Sequence, residues 1–283
     1  MGLTISYDFY LGSNSIELAR EKIHALHQAA INLPFEKVSE VVELVGEPCP
    51  EQHNKMEELH RLLQLEAARG VEYENSYFFV DPVQIIAFTV LPGKGCEFAN
   101  FGLALFPETT QIRFRKPKPG ADPKESKPWG WEDFKIKLEE RRTGKKIDET
   151  KVEVLTIPTN LTHWSWSNFC KTQYASNPEY GGMNNFLKCH GLVVQMLDIA
   201  QDLGILKSVD DEGGYWESRN TQTLSQSVGN YNALVAGVVG GLKTLLTQEG
   251  IEAKTQAPIT DYPNYEYLEA EGEQQIKRKK DKE

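Results

Sequence analysis

The chain has 283 residues, of which 40% are hydrophobic and 25% are charged, the usual balance of a soluble globular protein. Its formal net charge of −10 argues against a general nucleic-acid binder, because such proteins usually present a basic face. The best apolar run is interrupted by Lys243 and three glycines and is shorter than the ~20 residues that span a bilayer, so no membrane association is predicted.

The first half of the chain alternates between strand and helix patterns. Every second residue from Leu3 to Phe9 is apolar, which predicts a half-buried strand. Asn14 or Ser15 then caps a helix that stops at Pro34. The elements predicted after it are a strand, a helix and a β-rich segment with a hairpin, at 38–45, 51–69 and 77–106.

The middle of the chain has a mixed pattern. Residues 116–127 are rich in lysine and proline and are predicted to form an exposed loop. In the stretch that follows, Phe134, Ile136 and Leu138 alternate as in a strand, whereas Trp131, Phe134 and Leu138 fit a helix. The turn residues at 143–146 and the apolar residues up to Ile157 favour a hairpin inserted between two halves.

Two long helices are predicted in the second half, at 183–203 and 221–247, with a short strand at 205–209 between them. The last helix has apolar residues at alternating steps of four and three, from Leu224 to Leu245. Ala233, Gly237 and Gly241 form a row of small residues on this helix, which would let another backbone approach closely. Residues 274–283 are charged and are predicted to be disordered.

These elements predict an α+β protein with a mixed or mostly antiparallel sheet covered by three to four helices. We divide the chain into an N-terminal α/β half at 1–112, an insertion at 113–158, a C-terminal α/β half at 159–250 and a polar tail at 251–283. The four cysteines (Cys49, Cys96, Cys170 and Cys189) occur without a secretory signal, which predicts reduced thiols and a cytoplasmic protein.

The residues that carry reactive groups cluster between Trp164 and Glu217. Cys170 is the candidate nucleophile; His163 or His190 could supply the base, and Asp211 or Glu212 could orient it, as in a cysteine–histidine–acid constellation. The alternative is that Cys170 is a small buried residue on a strand, and that His190 is a structural histidine bonded within the core.

Asp211 and Glu212 precede the pair Gly213–Gly214, between a predicted strand and a predicted helix. Such loops hold ligands in many α/β folds, and glycine lets backbone N–H groups face a ligand. The alternative is a tight turn with solvated acids. Cys49 with His53, and His24 with His27, do not have the repeated spacing of a zinc site, so no metal site is predicted.

The leading hypothesis is a small-molecule pocket with hydrolase or transferase activity, for which the patterns identify no cofactor. Cys170, His190, Asp211 and Glu212 are the catalytic candidates. The residues predicted to bind the ligand are aromatic, polar or glycine residues near them: Trp166, Lys171, Gln173, Tyr174, Asn185, Gly213, Gly214, Tyr215 and Trp216.

The alternative hypothesis is a non-catalytic interaction module, of the kind that immunity proteins and antitoxins represent, which binds a basic protein partner. Such a module would present tryptophan and tyrosine side chains on an exposed face. A homodimer built through the last helix is compatible with either hypothesis.

Three segments, at 2–5, 164–176 and 211–217, resemble a group of uncharacterised bacterial proteins of unknown function. The resemblance covers the two ends of the chain better than the insertion at 113–158. It implies a bacterial, cytosolic origin, and it implies no ligand, activity or mechanism.

Overall fold

The computed structural model describes residues 3–45, 58–115, 130–148, 152–248 and 257–280. The predicted loop at 116–127, the predicted helical residues at 51–57, and Cys49 and His53 lie outside the described residues. The strands are β1 (Thr4–Tyr10), β2 (Lys37–Val38), β3 (Val42–Val45), β4 (Arg69–Tyr73), β5 (Ser76–Val80), β6 (Gln84–Leu91), β7 (Ala99–Leu105), β8 (Thr109–Arg115), β9 (Val152–Pro158), β10 (Ser165–Lys171) and β11 (Leu206–Asp211). The α-helices are α1 (Ile16–Ile31), α2 (Glu58–Ala67), α3 (Gly130–Thr143), α4 (Gly182–Asp202), α5 (Tyr215–Ser218), α6 (Thr221–Gln248) and α7 (Tyr265–Lys280).

The central sheet contains strands from both halves of the chain. Its order is β11-β1-β10-β7-β6-β2, and β3 also pairs with β6. All of these pairings are antiparallel. The predicted α+β class with a mostly antiparallel sheet is therefore confirmed.

The alternating pattern of β1 places its apolar side chains in the core. Leu3, Ile5, Tyr7 and Phe9 are buried, whereas the residues between them are partly exposed. α1 begins at the Ser15 cap, whose Oγ accepts a hydrogen bond from the N–H of Leu18 at 3.1 Å. The core that these elements share with α4 and β10 accounts for most of the buried apolar residues described.

The register of β1 fixes where the candidate site residues lie. Ile5 pairs with Cys170 of β10 on one side and with Asp211 of β11 on the other. Directly paired residues of neighbouring strands point to the same face of a sheet, so these three side chains share the face that α4 covers. Cys170 and Asp211 are two strand spacings apart, or about 10 Å.

The insertion at 113–158 differs from its prediction, because residues 130–143, for which the first strand of a hairpin was favoured, form the helix α3. β9 is a strand, but it pairs with β8 and not with a strand formed by 134–138. Asp133, Ile136 and Glu140 form the buried side of α3, and two of the three are acidic. The two acidic residues are buried because Arg113 binds them: its Nη2 lies 2.7 Å from Oε2 of Glu140, and its backbone N–H donates to Asp133. A search for apolar periodicity therefore does not detect the buried side of α3.

The C-terminal region is a hairpin of helices. α6 packs against α7, which continues to Lys280 through most of the segment predicted to be disordered. The small residues Ala233 and Gly237 face Gly272 of α7, so they serve a contact within the chain. Among the residues described, no helix has the length and the apolar character needed to cross a bilayer.

Candidate functional site

His190 lies on the buried face of α4, between β10 and β11. Its side chain is fully buried. Nδ1 lies 2.9 Å from Oγ1 of Thr172, and Nε2 lies 3.2 Å from Oδ2 of Asp211. A carboxylate only accepts hydrogen bonds, so Nε2 carries the hydrogen, and in the neutral ring Nδ1 accepts from the Thr172 hydroxyl. Both ring nitrogens are thus used within the protein.

Asp211 ends β11 and collects hydrogen bonds from the turn that follows. Oδ1 accepts from the N–H of Gly213, and Oδ2 accepts from the N–H groups of Tyr215 and Trp216, each at 2.8 Å. Burial is the largest single effect, and alone it would raise the pKa of this carboxyl. The hydrogen bonds and the His190 ring together outweigh burial, so the pKa lies below its ordinary value. Asp211 is therefore an ionised residue that caps the start of α5.

Glycine is required at both positions of the turn, for a different structural reason at each. Gly214 has φ +67°, in the left-handed region, and its N–H donates to the Asp211 carbonyl. Gly213 has no room for a side chain, because a Cβ there would lie 2.5 Å from Cδ1 of Leu224 and 3.0 Å from Oδ1 of Asp211. Close packing and turn geometry explain both glycines, as in the tight-turn alternative, but Asp211 is buried and is not one of the solvated acids that this alternative expects.

Gln173 begins a second buried polar network, next to Thr172. Its Oε1 accepts from the N–H of Leu3, and its Nε2 donates to Oδ1 of Asn232, both at 2.9 Å. Asn232 in turn donates to Oγ of Ser176, which contacts the hydroxyl of Tyr262 at 3.1 Å. This network connects the start of β1, the 3-10 turn Gln173–Ser176, α6 and the segment before α7.

Cys170 is fully buried and does not contact His190 through either ring nitrogen. Its Sγ donates to the carbonyl of Glu97 at 3.4 Å. Burial, followed by the nearby Glu97 and Cys189, raises the pKa of this thiol well above its usual value. Burial and the raised pKa favour the protonated thiol over the thiolate, and the hydroxyl of Thr172, not the thiol of Cys170, is bonded to Nδ1 of His190.

The other ligand-binding candidates are dispersed. Trp166 is buried and donates from Nε1 to the carbonyl of Asn100 at 2.8 Å. Lys171 points outward, 3.4 Å from Oε1 of Glu97. Tyr174 is half-buried on the 3-10 turn and packs against the apolar cluster between α6 and α7. These three side chains do not converge on the His190 network.

Glu212, Asn185 and Trp216 have structural contacts of their own. Glu212 is exposed, and its Oε2 accepts from the N–H of Thr4 at 2.8 Å, which extends the pairing of β1 and β11. Asn185 donates from Nδ2 to the carbonyls of Lys94 and Ala175. Trp216 stacks under the guanidinium of Arg219, 4.5 Å from the ring centroid.

The structure brings His190 of α4 to the turn after β11, where Asp211 also binds the backbone N–H groups of Gly213, Tyr215 and Trp216. The Tyr215 ring lies edge-on to the His190 ring, with 5.9 Å between the ring centroids. Sequence reasoning missed Thr172, Ser176, Asn232 and Tyr262. Thr172 lies between the candidates Lys171 and Gln173, so its position was a usable signal; the other three have no motif around them.

Thr172, His190 and Asp211 form the hydroxyl–imidazole–carboxylate order that serine-type hydrolases use. Here the threonine and the histidine have no exposed surface, and the carboxylate is occupied by three backbone N–H groups. Through these hydrogen bonds, the arrangement can hold the turn after β11 in place against α4 and the end of β10. In the described conformation it offers a substrate no reactive atom.

The ranges that the structure describes contain no group of three or more histidine, cysteine or acidic side chains arranged to hold a metal ion. Comparison with known proteins adds no family: no family model, no curated protein and no solved structure matches the chain. The resemblance to uncharacterised bacterial proteins therefore stays a prediction, and so does any function implied by the sequence patterns.

Proposed function

We propose that the protein is a non-catalytic interaction module, and that it binds a basic helix of a partner protein along the outer half of α6. The observation that carries this proposal is an exposed row of apolar side chains on that helix. We name it the α6 stripe, and it consists of Val238, Leu242 and Leu245.

The α6 stripe continues a row of apolar residues that begins inside the protein. Leu224, Val228 and Val235, earlier in the same row, are at most 9% exposed. Leu224 and Val228 pack in a cluster with residues of α4, whereas Val235 packs in the cluster between α6, α7 and the segment before α7. Val238, Leu242 and Leu245 are 41%, 48% and 61% exposed. The steps of four and three are those of a seam between paired helices, so the exposed part has the form of an unoccupied helix-binding face.

The α6 stripe points away from α7. Gly237 and Gly240 face Gly272 and Glu269 of α7. With about 100° between successive residues of a helix, the α6 stripe is centred roughly 140° around α6 from these two glycines. α7 therefore does not cover the α6 stripe, and a partner helix could reach it.

Charge favours a basic partner. Between Tyr265 and Ile276, α7 carries four glutamates and no lysine or arginine. α6 itself carries a single charged residue, Lys243. The basic residues of α7, at 277–280, lie at its far end, whereas Glu269 faces Gly240 beside the α6 stripe. An apolar row beside the acidic first part of α7 matches a partner helix with an apolar face and flanking lysines or arginines, and the protein's net charge of −10 would speed their encounter.

Burial of three of the four catalytic candidates supports binding over catalysis; the fourth, Glu212, is exposed. Cys170 and His190 are fully buried, and Asp211 is 7% exposed. A catalytic group must come within hydrogen-bonding distance of its substrate. The pocket hypothesis would need these segments to open, whereas the α6 stripe is exposed as the protein stands.

The proposal can be tested with a designed peptide of three heptads that has leucine at positions a and d and lysine at positions e and g. We expect its fluorescence anisotropy to report saturable binding to the wild-type protein. Replacing Leu242→Glu and Leu245→Glu together should weaken binding by at least about tenfold, or about 1.4 kcal/mol, because it places charge on the α6 stripe. Binding should also weaken as salt is added.

Leu138→Glu is the matched control, since Leu138 is a similarly exposed leucine, on α3. It should leave peptide binding unchanged. A control peptide with glutamate in place of lysine should bind more weakly to the wild type. Equal binding of both peptides, or no effect of the double substitution, would overturn the proposal. So would sedimentation of the wild type as a dimer that the double substitution dissociates, because the α6 stripe would then bind a second copy of the chain.

A further inference from the structure

β11 forms one edge of the central sheet. It pairs with β1 on one side, and no other described strand pairs with it on the other. The backbone N–H and C=O groups along a free sheet edge are a template on which a further strand can pair. The α6 stripe lies on a different element, so this edge is a separate candidate for an interface.

The hydrogen bonds to β1 show which backbone groups of β11 point outward. In an antiparallel pair, bonded and non-bonded pairs of residues alternate. The N–H of Glu212 donates to the carbonyl of Thr4, so this pair is bonded. Counting back along β11, Asp210 is bonded to β1, whereas Val209, opposite Tyr7, is not. The N–H and C=O of Val209 therefore point away from β1, and they have no partner among the described residues.

Side chains alternate between the two faces of β11. Val209 lies opposite Tyr7 and is half-buried on the face that α4 covers. Ser208 and Asp210 are exposed on the other face. There the hydroxyl of Ser208 donates to Oδ2 of Asp8 at 2.6 Å. The strand therefore has an apolar side chain toward the core and polar side chains toward solvent.

A β-bulge interrupts β11 before Ser208. The register with β1 shifts between Ser208 and Leu206, so Lys207 is an extra residue in the strand. Lys207 and Ser208 are both exposed, so both project on the solvent side. A bulge bends the strand and disrupts regular pairing. Only a short part of β11 can thus accept a partner strand, which favours a closed assembly over an open one.

We infer that β11 pairs with β11 of a second copy of this chain, antiparallel and around a two-fold axis at Val209. Such an axis places one residue opposite its own copy. At Val209, the N–H of each copy would donate to the carbonyl of the other. An axis at Asp210 would place two carboxylates opposite each other, and an axis at Ser208 would put the bulge within the pairing.

Charge complementarity argues for a second copy as the partner. In this register Ser208 of each copy lies opposite Asp210 of the other, and Lys207 is beside Ser208. Lys207 and Asp210 carry opposite charges on opposite sides of the axis, so the two-fold operation brings them together at both ends of the pairing. A strand of another protein would need the same order of charges to fit as well.

Sedimentation equilibrium of the full chain tests the inference, and we expect a reversible monomer–dimer equilibrium. Val209→Pro should weaken the dimer at least about tenfold, because proline removes the N–H that donates across the axis. The pairing with β1 does not use this N–H, and edge strands accept proline at such positions. The double variant with Leu242→Glu and Leu245→Glu should dimerise like the wild type, which separates this interface from the α6 stripe.

Hydrogen exchange of single backbone amides, measured by NMR, locates the interface without any substitution. The amide of Val209 should exchange more slowly as the protein concentration rises, because dimerisation gives it an acceptor. The amide of Asp210, which is bonded to β1, is the matched control and should change far less. A dimer in which the exchange of Val209 does not depend on concentration would contradict the inferred pairing.

Charge reversal gives a test that does not depend on proline. Lys207→Glu and Asp210→Lys should each weaken the dimer by about fivefold, because each places like charges at both ends of the pairing. Combining the two should restore dimerisation, since the charges are then exchanged. A wild type that stays monomeric up to about 1 mM would overturn the inference. So would a dimer that Val209→Pro or both reversals leave unchanged, or one that the substitutions at Leu242 and Leu245 dissociate.

Discussion

Asp211→Ala should lower the free energy of unfolding by about 3–5 kcal/mol, among the largest effects of a single substitution in this protein. The substitution leaves three backbone N–H groups and the Nε2 of His190 without their acceptor. Each orphaned buried donor costs about 1–3 kcal/mol. Equilibrium unfolding in urea, followed by circular dichroism, measures the change.

Asp210→Ala is the matched control for this prediction. Asp210 is the exposed neighbour on the same strand, and its loss should change the free energy of unfolding by no more than about 0.5 kcal/mol. If the two variants were equally stable, the network around Asp211 would not have the structural role assigned to it.

The same pair of variants differs in its response to acid. The pKa of Asp211 is lower in the folded protein than in the unfolded chain, so its stabilising effect is present above the ordinary aspartate pKa, about 4. This effect is lost as the pH falls through the lower folded-state value. The free energy of unfolding of Asp211→Ala should therefore decrease less steeply below about pH 5 than that of Asp210→Ala.

Gly237→Ala and Gly241→Ala, four residues apart on α6, should have opposite effects. A Cβ on Gly237 would lie 2.5 Å from the backbone carbon of Gly272, so α7 would have to move. We expect a loss of about 1–3 kcal/mol from this overpacking. A Cβ on Gly241 would meet no atom within 4 Å, so alanine should stabilise α6 by about 0.5–1 kcal/mol.

Urea unfolding again gives the sign of each change, and hydrogen exchange along α7 shows whether the loss in Gly237→Ala is local to the helix hairpin. Faster exchange in α7 for Gly237→Ala, with unchanged exchange for Gly241→Ala, is the expected pattern. Equal stability of the two variants would contradict the close contact of α6 with α7.

The spacing of apolar residues correctly predicts a helix or strand wherever one face of that element is apolar. Alternation in β1 and helical spacing in α1, α4 and α6 were read correctly, because burial of apolar side chains determines these elements. α3 was read wrongly, because Asp133 and Glu140 are buried through bonds to Arg113 rather than through hydrophobicity. The periodicity of apolar residues does not predict such buried ion pairs.

The sequence predicted part of the candidate site: it grouped His190 with Asp211, but it also included residues that lie elsewhere, such as Trp166 and Lys171. His190 and Asp211 were expected to lie close together, and they are within hydrogen-bonding distance. The register of β1 with β10 and β11 places Asp211 there. The sequence left open whether His190 is catalytic or a buried structural residue, because its burial depends on how α4 lies over the sheet. The position of α4 also determines that Thr172, and not Cys170, lies beside His190.

The enclosure of His190 is the central claim, since it separates a structural network from a reactive one. Modification of the native protein with diethyl pyrocarbonate, quantified for each histidine by peptide mass spectrometry, tests it most directly. His24 is exposed on α1 and should react readily, whereas His190 should react only after unfolding. Modification of His190 in the native state at the rate of His24 would contradict the account and would favour a site open to substrate.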